Sequence, residues 1–214
     1  MTTDIQAPYR LVLAEQPQQR AELQAYIQHA YQREFNATIP HFLSCLVGLY
    51  RADGLLVGAC GLQLARDEPL YLEQYLEQPI EDAIACGLGI QTGRERIIEV
   101  GNFACLTPGN ARLMFAALTC LLCDNALDVV VFTGTAKLRN SFHRLHLEPV
   151  ELASAEPHRV GEDAHAWGAY YQCQPRVMAG DLNQGRQVLS QSSLLISLLG
   201  PMPTLFPRQM RASL

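Results

Sequence analysis

Residues 96–133, RIIEVGNFACLTPGNARLMFAALTCLLCDNALDVVVFT, decide the fold of this protein. Arg96 to Leu106 is mainly apolar and predicts a strand, with room for a bulge at Gly101-Asn102. A Pro-Gly turn then leads into a helix from about Asn110 to Asp124. Asp128 to Thr133 is continuously apolar rather than alternating, as in a buried strand of a parallel pair. The stretch therefore predicts a strand–helix–strand unit at the centre of an α/β fold.

The elements on either side extend this unit. Two apolar runs, Phe42–Tyr50 and Leu55–Leu64, are joined through Asp53-Gly54, which is a strong hairpin signal. The other predicted elements are a strand over Arg10–Ala14, a helix over Pro17–Phe35, a helix over Tyr71–Ala85 interrupted at Pro79, a helix over Ala136–Leu147, and a last strand over Pro149–Ala153. This order predicts an α/β sandwich around a mixed sheet.

The chain length fits one domain with an extension. The 214 residues are enough for a single hydrophobic core without metal or disulfides. We assign residues 1–185 to the domain and residues 186–214 to an apolar C-terminal extension. The tail that begins at Leu194, LLISLLGPMPTLF, is expected to pack on the body or on a second subunit, so a homodimer is one possibility.

Charge and composition exclude several function classes. The net charge of −5 argues against a nucleic-acid partner and against attraction to an anionic membrane surface. No stretch reaches the roughly 18 apolar residues of a transmembrane helix. The start, MTTDIQAPYR, shows no secretory signal, and the seven cysteines are an odd number within mostly apolar runs. These features predict a cytoplasmic protein with reduced thiols.

The turn before the predicted central helix is a candidate anion site. Gly109-Asn110-Ala111-Arg112 opens the helix directly after a buried strand. Free backbone N–H groups and the positive end of the helix dipole favour an anion there, and Arg112 adds a charge. The alternative is an ordinary turn into a core helix.

Glu99 is the main catalytic candidate, because it lies between Ile98 and Val100 in an apolar strand. A buried carboxylate needs hydrogen bonds or a raised pKa, and such a group can act as a general base on an amine. The alternative is a strand residue on a solvated face. If the bulge resets the alternation, Asn102 shares the face of Glu99 and supplies a neutral donor near a reacting carbonyl.

Three other clusters favour structural interpretations. Cys120 and Cys123 lack a second pair of ligands at metal spacing, so they are interpreted as core thiols and no metal site is predicted. His143 and His146 are interpreted as part of a solvated helix face. The aromatic residues of Trp167–Tyr171 either line a pocket or cap the core, and the cap is the favoured interpretation.

Several of these segments together resemble the bacterial thermostable hemolysin family, roughly over Ala30 to Asp181. The segments that carry the resemblance are 72–81 (LEQYLEQPIE), 98–104 (IEVGNFA), 132–135 (FTGT), 138–142 (LRNSF) and 167–171 (WGAYY), with Pro175 and Gly180.

The same elements are similar to the GNAT-like (acyl-CoA N-acyltransferase-like) α/β/α sandwich with a mixed central sheet, which acyl-homoserine lactone synthases share. Glu99 takes the position of the synthases' strand glutamate, whereas Asn102 replaces the arginine three residues later. Gly109 and Ala111 match the GNAT phosphate motif, but Leu106 stands where that motif has Gln or Arg. Phe142 occupies the position of the tyrosine that ordinarily serves the leaving thiolate.

The resemblance implies an N-acyltransferase that moves an acyl group from an acyl carrier protein or acyl-CoA thioester to a small amine. The thioester is a co-substrate, and no permanently bound cofactor is implied. The implied roles are base for Glu99, carbonyl binding for Asn102 and the backbone of Phe103, Ala104 and Cys105, phosphate binding for Gly109, Asn110, Ala111 and Arg112, and acceptor binding for Glu73, Thr133 and Arg139. The alternatives are a membrane-damaging hemolysin without acyl transfer, as the family name says, and a non-catalytic thioester-binding scaffold.

Overall fold

A mixed seven-stranded sheet forms the centre of the protein in the computed structural model, which describes residues 7–191 and 193–205. The strands are β1 (Tyr9–Leu13), β2 (Cys45–Arg51), β3 (Leu56–Leu64), β4 (Ile97–Ala104), β5 (Val129–Gly134), β6 (Val150–Ser154) and β7 (Arg176–Asp181). Their order across the sheet is β1-β2-β3-β4-β5-β7-β6. Strands β4 and β5 run parallel, and every other neighbouring pair in this order is antiparallel.

Helices cover both faces of the sheet. They are α1 (Pro17–Phe35), α2 (Ile80–Leu88), α3 (Pro108–Asp124), α4 (Ala136–His143), α5 (Leu182–Ser190) and α6 (Ser193–Ser197). Helices α1 and α2 bury their apolar residues against one face, and α3 to α6 pack on the other. Consecutive residues of β4 serve both layers, since Ile97 packs with α2 and Ile98 with α3. The predicted α/β sandwich around a mixed sheet is confirmed.

The hairpin and the parallel pair lie where the sequence predicts them. Strands β2 and β3 are antiparallel, and Gly54 in the connecting turn has a φ of 86°, which glycine adopts without steric cost. The central unit β4–α3–β5 contains the parallel pair. Its helix begins with Pro108, whose missing N–H costs nothing in a first turn.

Several elements differ from the predictions, and helices α5 and α6 were not predicted. Strand β7 was not predicted, and it inserts between β5 and β6, so the strand near Pro149 is an edge strand rather than the last one. Its sequence, RVMAGD, is short and ends in Gly-Asp, so it lacks the run of apolar residues that predicts a strand. Helix α4 ends at His143, before the predicted end at Leu147. The segment from Tyr71 divides into a 3₁₀ turn (Tyr71–Tyr75) and α2, separated at Pro79 as predicted.

The C-terminal segment lies along the open edge of β1. The N–H of Tyr9 donates to the carbonyl of Leu198 at 3.0 Å, and the N–H of Gly200 donates back to Tyr9 at 2.8 Å. The N–H of Leu205 donates to Oδ1 of Asn125 at 3.0 Å, which joins the segment to the end of α3. Helix α5 runs across residues 185 and 186, where the predicted extension begins, and it packs on α3. Residues 206–214 of the extension lie outside the described residues.

Candidate functional site

The parallel strands β4 and β5 separate part-way along their length. Their pairing runs from Ile97 opposite Val129 to Glu99 opposite Val131 and then stops. Both strands continue, β4 to Ala104 and β5 to Gly134. The carboxyl-terminal halves of the two strands therefore form a wedge, which opens at Glu99. Within the wedge, the backbone groups of one strand do not pair with those of the other.

A bulge in β4 accompanies this separation. Asn102 has a φ of 50°, in the left-handed region that Asn tolerates better than most residues, and the β3–β4 register shifts between Ala59 and Gly61. Oδ1 of Asn102 accepts the N–H of Leu43 at 2.9 Å, and Nδ2 donates to the carbonyl of His41 at 3.0 Å. The side-chain amide of Asn102 thus ties residues 41–43 to β4. The sequence predicts that this amide binds a reacting carbonyl, but its oxygen and its nitrogen each already have a partner within the protein.

Two cavities meet at the wedge. The first, which we call the aromatic pocket, lies beside Glu99 and holds about 510 Å³ of empty space. The second, the apolar pocket, holds about 560 Å³ and is lined by side chains of β4, β5, α3 and α4. The residues common to both linings are Tyr31, Gly101, Asn102 and Thr133. Because they share these residues, the two pockets adjoin at the wedge.

Phenylalanine rings form much of the apolar pocket. Phe115 stacks on Phe103 and on Phe142, with ring centroids 4.9 and 4.3 Å apart. Phe142 also lies 4.9 Å from Phe132. The ring of Phe142 therefore faces hydrocarbon and has no proton to donate. Such a lining suits an aliphatic chain.

Glu99 is buried on the floor of the aromatic pocket, with 3% of its surface exposed. Its Oε2 accepts the backbone N–H of Leu72 at 3.4 Å. Burial raises the pKa of the Glu99 carboxyl to about 8, although the backbone N–H groups of Tyr71 and Leu72 partly oppose this rise. The alternative of a solvated face is therefore wrong, and the carboxyl is poised to exchange a proton near neutral pH.

Glu73 holds the 3₁₀ turn that contacts Glu99. Its two carboxylate oxygens accept hydrogen bonds from Arg94, both at 2.8 Å, and from the backbone N–H groups of Leu70 and Ile80. The hydrogen bonds from Arg94 lower the pKa of Glu73. The carboxylate does not line the aromatic pocket, and it lies instead in a separate open cleft with Arg94.

The wall of the aromatic pocket contains Trp167 and Tyr170, which the sequence analysis favours as a cap on the core. Trp167 lies 5.9 Å from Tyr31 and 6.3 Å from Tyr71 between ring centroids, and its Nε1 donates to the Tyr71 hydroxyl at 3.3 Å. Tyr170 donates its hydroxyl to the Thr133 carbonyl at 3.4 Å. These rings are buried in the core and line the pocket as well.

Tyr31 and Tyr71 were not singled out as site residues. Tyr31 belongs to the predicted apolar face of α1, where its spacing from Ile27 indicates core packing. Its position between the two pockets depends on how α1 lies across β4, which spacing within one helix does not show.

The predicted phosphate turn is open at one end of α3. Gly109 has no neighbour near the position a Cβ would take, and Arg112 is exposed. The N–H groups of Asn110 and Ala111 donate to the Thr107 carbonyl at 3.0 and 3.3 Å. Leu106 is 42% exposed at the position where the GNAT motif has a polar residue.

The remaining predicted residues divide into those at the site and those beside it. Thr133 lines both pockets, and Phe103 lines the apolar one. Ala104 is buried beneath α1, and burial raises the pKa of the Cys105 thiol to about 12. Arg139 donates to the carbonyls of Gly134 and Gln174, at 2.9 and 3.3 Å, and does not line either pocket. Within the part of the chain that the structure describes, no cluster of three or more His, Cys, Asp or Glu side chains is placed to hold a metal.

The family assignment comes from comparison with known proteins. The profile of the family described as thermostable hemolysin matches residues 13–186. The chain belongs to the thermostable hemolysin family. No curated protein matches it significantly in sequence. Among residues 7–191 and 193–205, no helix of this family member is long and apolar enough to cross a membrane.

Solved structures are similar in fold at low sequence identity. FeeM, an N-acyl amino acid synthase from uncultured soil microbes, has a TM-score of 0.60 at 15% identity, covering 87% of this chain and 98% of its own. BjaI, a CoA-dependent acyl-homoserine lactone synthase solved with SAM and isopentyl-CoA, has a TM-score of 0.58 at 15% identity, covering 93% and 95%. The acyl-homoserine lactone synthase LasI has a TM-score of 0.56 at 9% identity, covering 94% and 100%. The predicted GNAT-like fold of the acyl-homoserine lactone synthases is confirmed.

Proposed function

We propose that this member of the thermostable hemolysin family is an N-acyltransferase, which moves an acyl group from a thioester of acyl carrier protein or coenzyme A to a small amine. One observation carries the proposal: a buried carboxyl, that of Glu99, lies at the point where two parallel strands separate and an apolar pocket adjoins a second pocket. The fold shared with acyl-transferring synthases supports the same activity.

The donor occupies the wedge and the apolar pocket in this proposal. Beyond Glu99, the β4 edge facing β5 is free of strand pairing, and the backbone amides of residues 103–105 are offered to the thioester and its pantetheine arm. The pantetheine phosphate binds at the open turn of Gly109 to Arg112. The acyl chain lies among the rings of Phe103, Phe115 and Phe142. BjaI was solved with isopentyl-CoA, which is a thioester of this kind.

The acceptor occupies the aromatic pocket, where Glu99 takes a proton from its ammonium group. The amine nitrogen then attacks the thioester carbonyl, the new C–N bond forms and the C–S bond breaks. The electron pair of the broken bond leaves on sulfur, and the thiolate takes a proton from solvent because Phe142 cannot supply one. The attacking nitrogen loses its second proton to water as the C–S bond breaks, so the products are an N-acyl amide and a free thiol, and Glu99 returns its own proton to water. A general base of this kind contributes roughly 100- to 10,000-fold in rate.

The proposed use of a thioester of acyl carrier protein or coenzyme A supports a cytoplasmic reaction. The exposed Leu106 in the phosphate turn removes one polar contact to a donor phosphate, and the proposal therefore keeps both carriers as candidate donors. Native mass spectrometry of the protein with each thioester, over graded acyl lengths, identifies the carrier and counts the subunits.

The decisive experiment combines donor, acceptor and variant. The purified full chain is incubated with acyl thioesters and a mixture of primary amines, and the amide product and free thiol are measured together. Glu99→Gln is expected to lower kcat by at least about 100-fold, within the range of a general base. Glu68→Gln, at an exposed position, removes the same charge away from the site. Wild-type turnover in Glu99→Gln refutes the role of Glu99, and thiol release without amide in every mixture refutes the transferase.

A further inference from the structure

The aromatic pocket has acidic groups in and beside its lining but, among the described residues, no lysine or arginine. Its floor is the Glu99 carboxyl, and at its exposed rim Nε2 of His41 lies 2.8 Å from a carboxylate oxygen of Asp163. Among the described residues that line this pocket, none is a lysine or an arginine. Arg139, the cation that the sequence analysis assigns to acceptor binding, is held by two backbone carbonyls outside the pocket.

Two polar hydrogens of the wall are donated to protein acceptors. The indole N–H of Trp167 donates to Tyr71, and the hydroxyl of Tyr170 donates to a carbonyl. The hydroxyl of Tyr75 lies 2.8 Å from that of Tyr171. A carboxylate carried into this pocket by an acceptor would lose its water without gaining a lysine or arginine as a partner, which is costly.

The same wall favours a cation. The centroids of Trp167 and Tyr170 are 5.2 Å apart, and Tyr31 and Tyr71 lie within 6.3 Å of Trp167. Faces of Trp and Tyr attract an ammonium group electrostatically, and more strongly where water is excluded. The carboxylate of Asp163 at the rim adds to this preference.

We propose that the acceptor is a primary amine that carries no carboxylate, such as a diamine or an arylalkylamine, rather than an amino acid. The inference deepens the proposed function and rests on it, because it assigns the aromatic pocket to the acceptor. Such an amine enters as an ammonium ion, contacts the rings and meets Glu99 at the floor.

Matched acceptors test the inference directly. Tyramine, tyrosine and tyrosine methyl ester share one ring, while only tyrosine carries a carboxylate; cadaverine and lysine form a second pair. The full chain is assayed with each acceptor and the best acyl thioester, and amide formation is followed by mass spectrometry. We expect kcat/KM for tyramine and for the methyl ester to exceed that for tyrosine by at least about 100-fold, since like-charge contacts are strongly disfavoured.

Each outcome either supports or overturns the inference. Equal or better use of tyrosine and lysine overturns it, while their amide products still support the transferase. Rejection of the methyl ester together with tyrosine also overturns it, because bulk and not charge then decides. If no acceptor yields an amide, the transferase fails, and calorimetric binding of tyramine against tyrosine decides the inference alone: tighter binding of tyramine supports it, and no binding of either overturns it.

A rim variant adds a second test. Asp163→Asn removes the rim carboxylate beside His41 and leaves the aromatic rings unchanged, and we expect KM for tyramine to rise about 3- to 10-fold while kcat changes little, as for one cation–carboxylate contact. Glu68→Gln serves as the exposed control. An unchanged KM in Asp163→Asn removes the rim carboxylate from the inference.

Discussion

The burial of Glu99 makes the stability of the protein depend on pH in a defined way. Its carboxyl has an ordinary pKa of 4.5, and burial raises this pKa to about 8 in the folded protein. The folded state therefore binds the proton more tightly than the unfolded state between these two values. Stability from this group is fully present below pH 4.5, falls as the pH rises, and is lost above about pH 8.

Glu99→Gln removes this dependence, because the amide stays neutral and resembles the protonated carboxyl. At about 1.36 kcal/mol per unit of pKa, the rise from 4.5 to about 8 amounts to ~5 kcal/mol of folding free energy. Relative to the variant, the wild-type free energy of unfolding should fall by about this amount between pH 4.5 and pH 8. The slope of the difference should be about 1.36 kcal/mol per pH unit.

Urea unfolding of both proteins at half-unit steps from pH 5 to pH 9 measures this difference, and groups common to both proteins cancel. Glu68→Gln is the matched control, and its difference from wild type should stay flat because that side chain is exposed. Parallel wild-type and Glu99→Gln curves across the whole range would show that the carboxyl is ionised in the folded state, and the interpretation of Glu99 as a buried, protonated group would fail. The same carboxyl predicts that kcat/KM rises with pH to an apparent pKa of about 8.

Four further predictions concern the surroundings of the site. Asn102→Ala loses two hydrogen bonds and puts an alanine at positive φ, so we expect its free energy of unfolding in urea to fall by ~2–4 kcal/mol. Asn102→Gly should lose less, because glycine adopts positive φ without strain. Equal losses in the two variants would show that the backbone conformation contributes nothing. Glu73→Gln weakens the bond to Arg94 and should cost ~1–3 kcal/mol of stability, whereas a rise in the acceptor KM at unchanged stability would restore Glu73 to the acceptor site. Phe142→Ala removes a ring from the apolar pocket and should shift the preference in a graded thioester series toward longer chains, at a stability cost of ~3 kcal/mol; an unchanged preference would place the acyl chain elsewhere. Red-cell lysis by the purified protein should require acyl donor and amine, since the product is surface-active; lysis by the protein alone would favour a direct membrane-damaging activity.

Local signals in the sequence were enough to predict most of the fold. The Asp53-Gly54 pair marks the hairpin, and the continuous apolar run ending at Thr133 marks the parallel strand, because both signals are contained in a few neighbouring residues. Strand β7 has no comparable signal, and its place between β5 and β6 comes from long-range pairing.

The site was predictable only in part, for a related reason. Glu99 stands out because a carboxyl within an apolar strand is unusual, and its burial follows from that position. The roles given to Glu73 and Arg139 came from family motifs, and the structure shows both side chains in bonds that hold neighbouring elements. Whether a charged side chain contacts a substrate or another part of the protein depends on tertiary contacts, which the spacing of residues along the sequence does not reveal.

The wedge and the aromatic pocket have a common cause in the β4 bulge. A Cβ at Gly101 would lie 2.9 Å from a methyl carbon of Leu43, and one at Gly61 would lie 2.8 Å from Oδ1 of Asn102. Both glycines thus allow residues 41–43 to approach the sheet, and Asn102 then fixes them there by two hydrogen bonds. The bulge follows the last β4–β5 pair at Glu99, so Asn102 both holds residues 41–43 and lines the two pockets at the wedge.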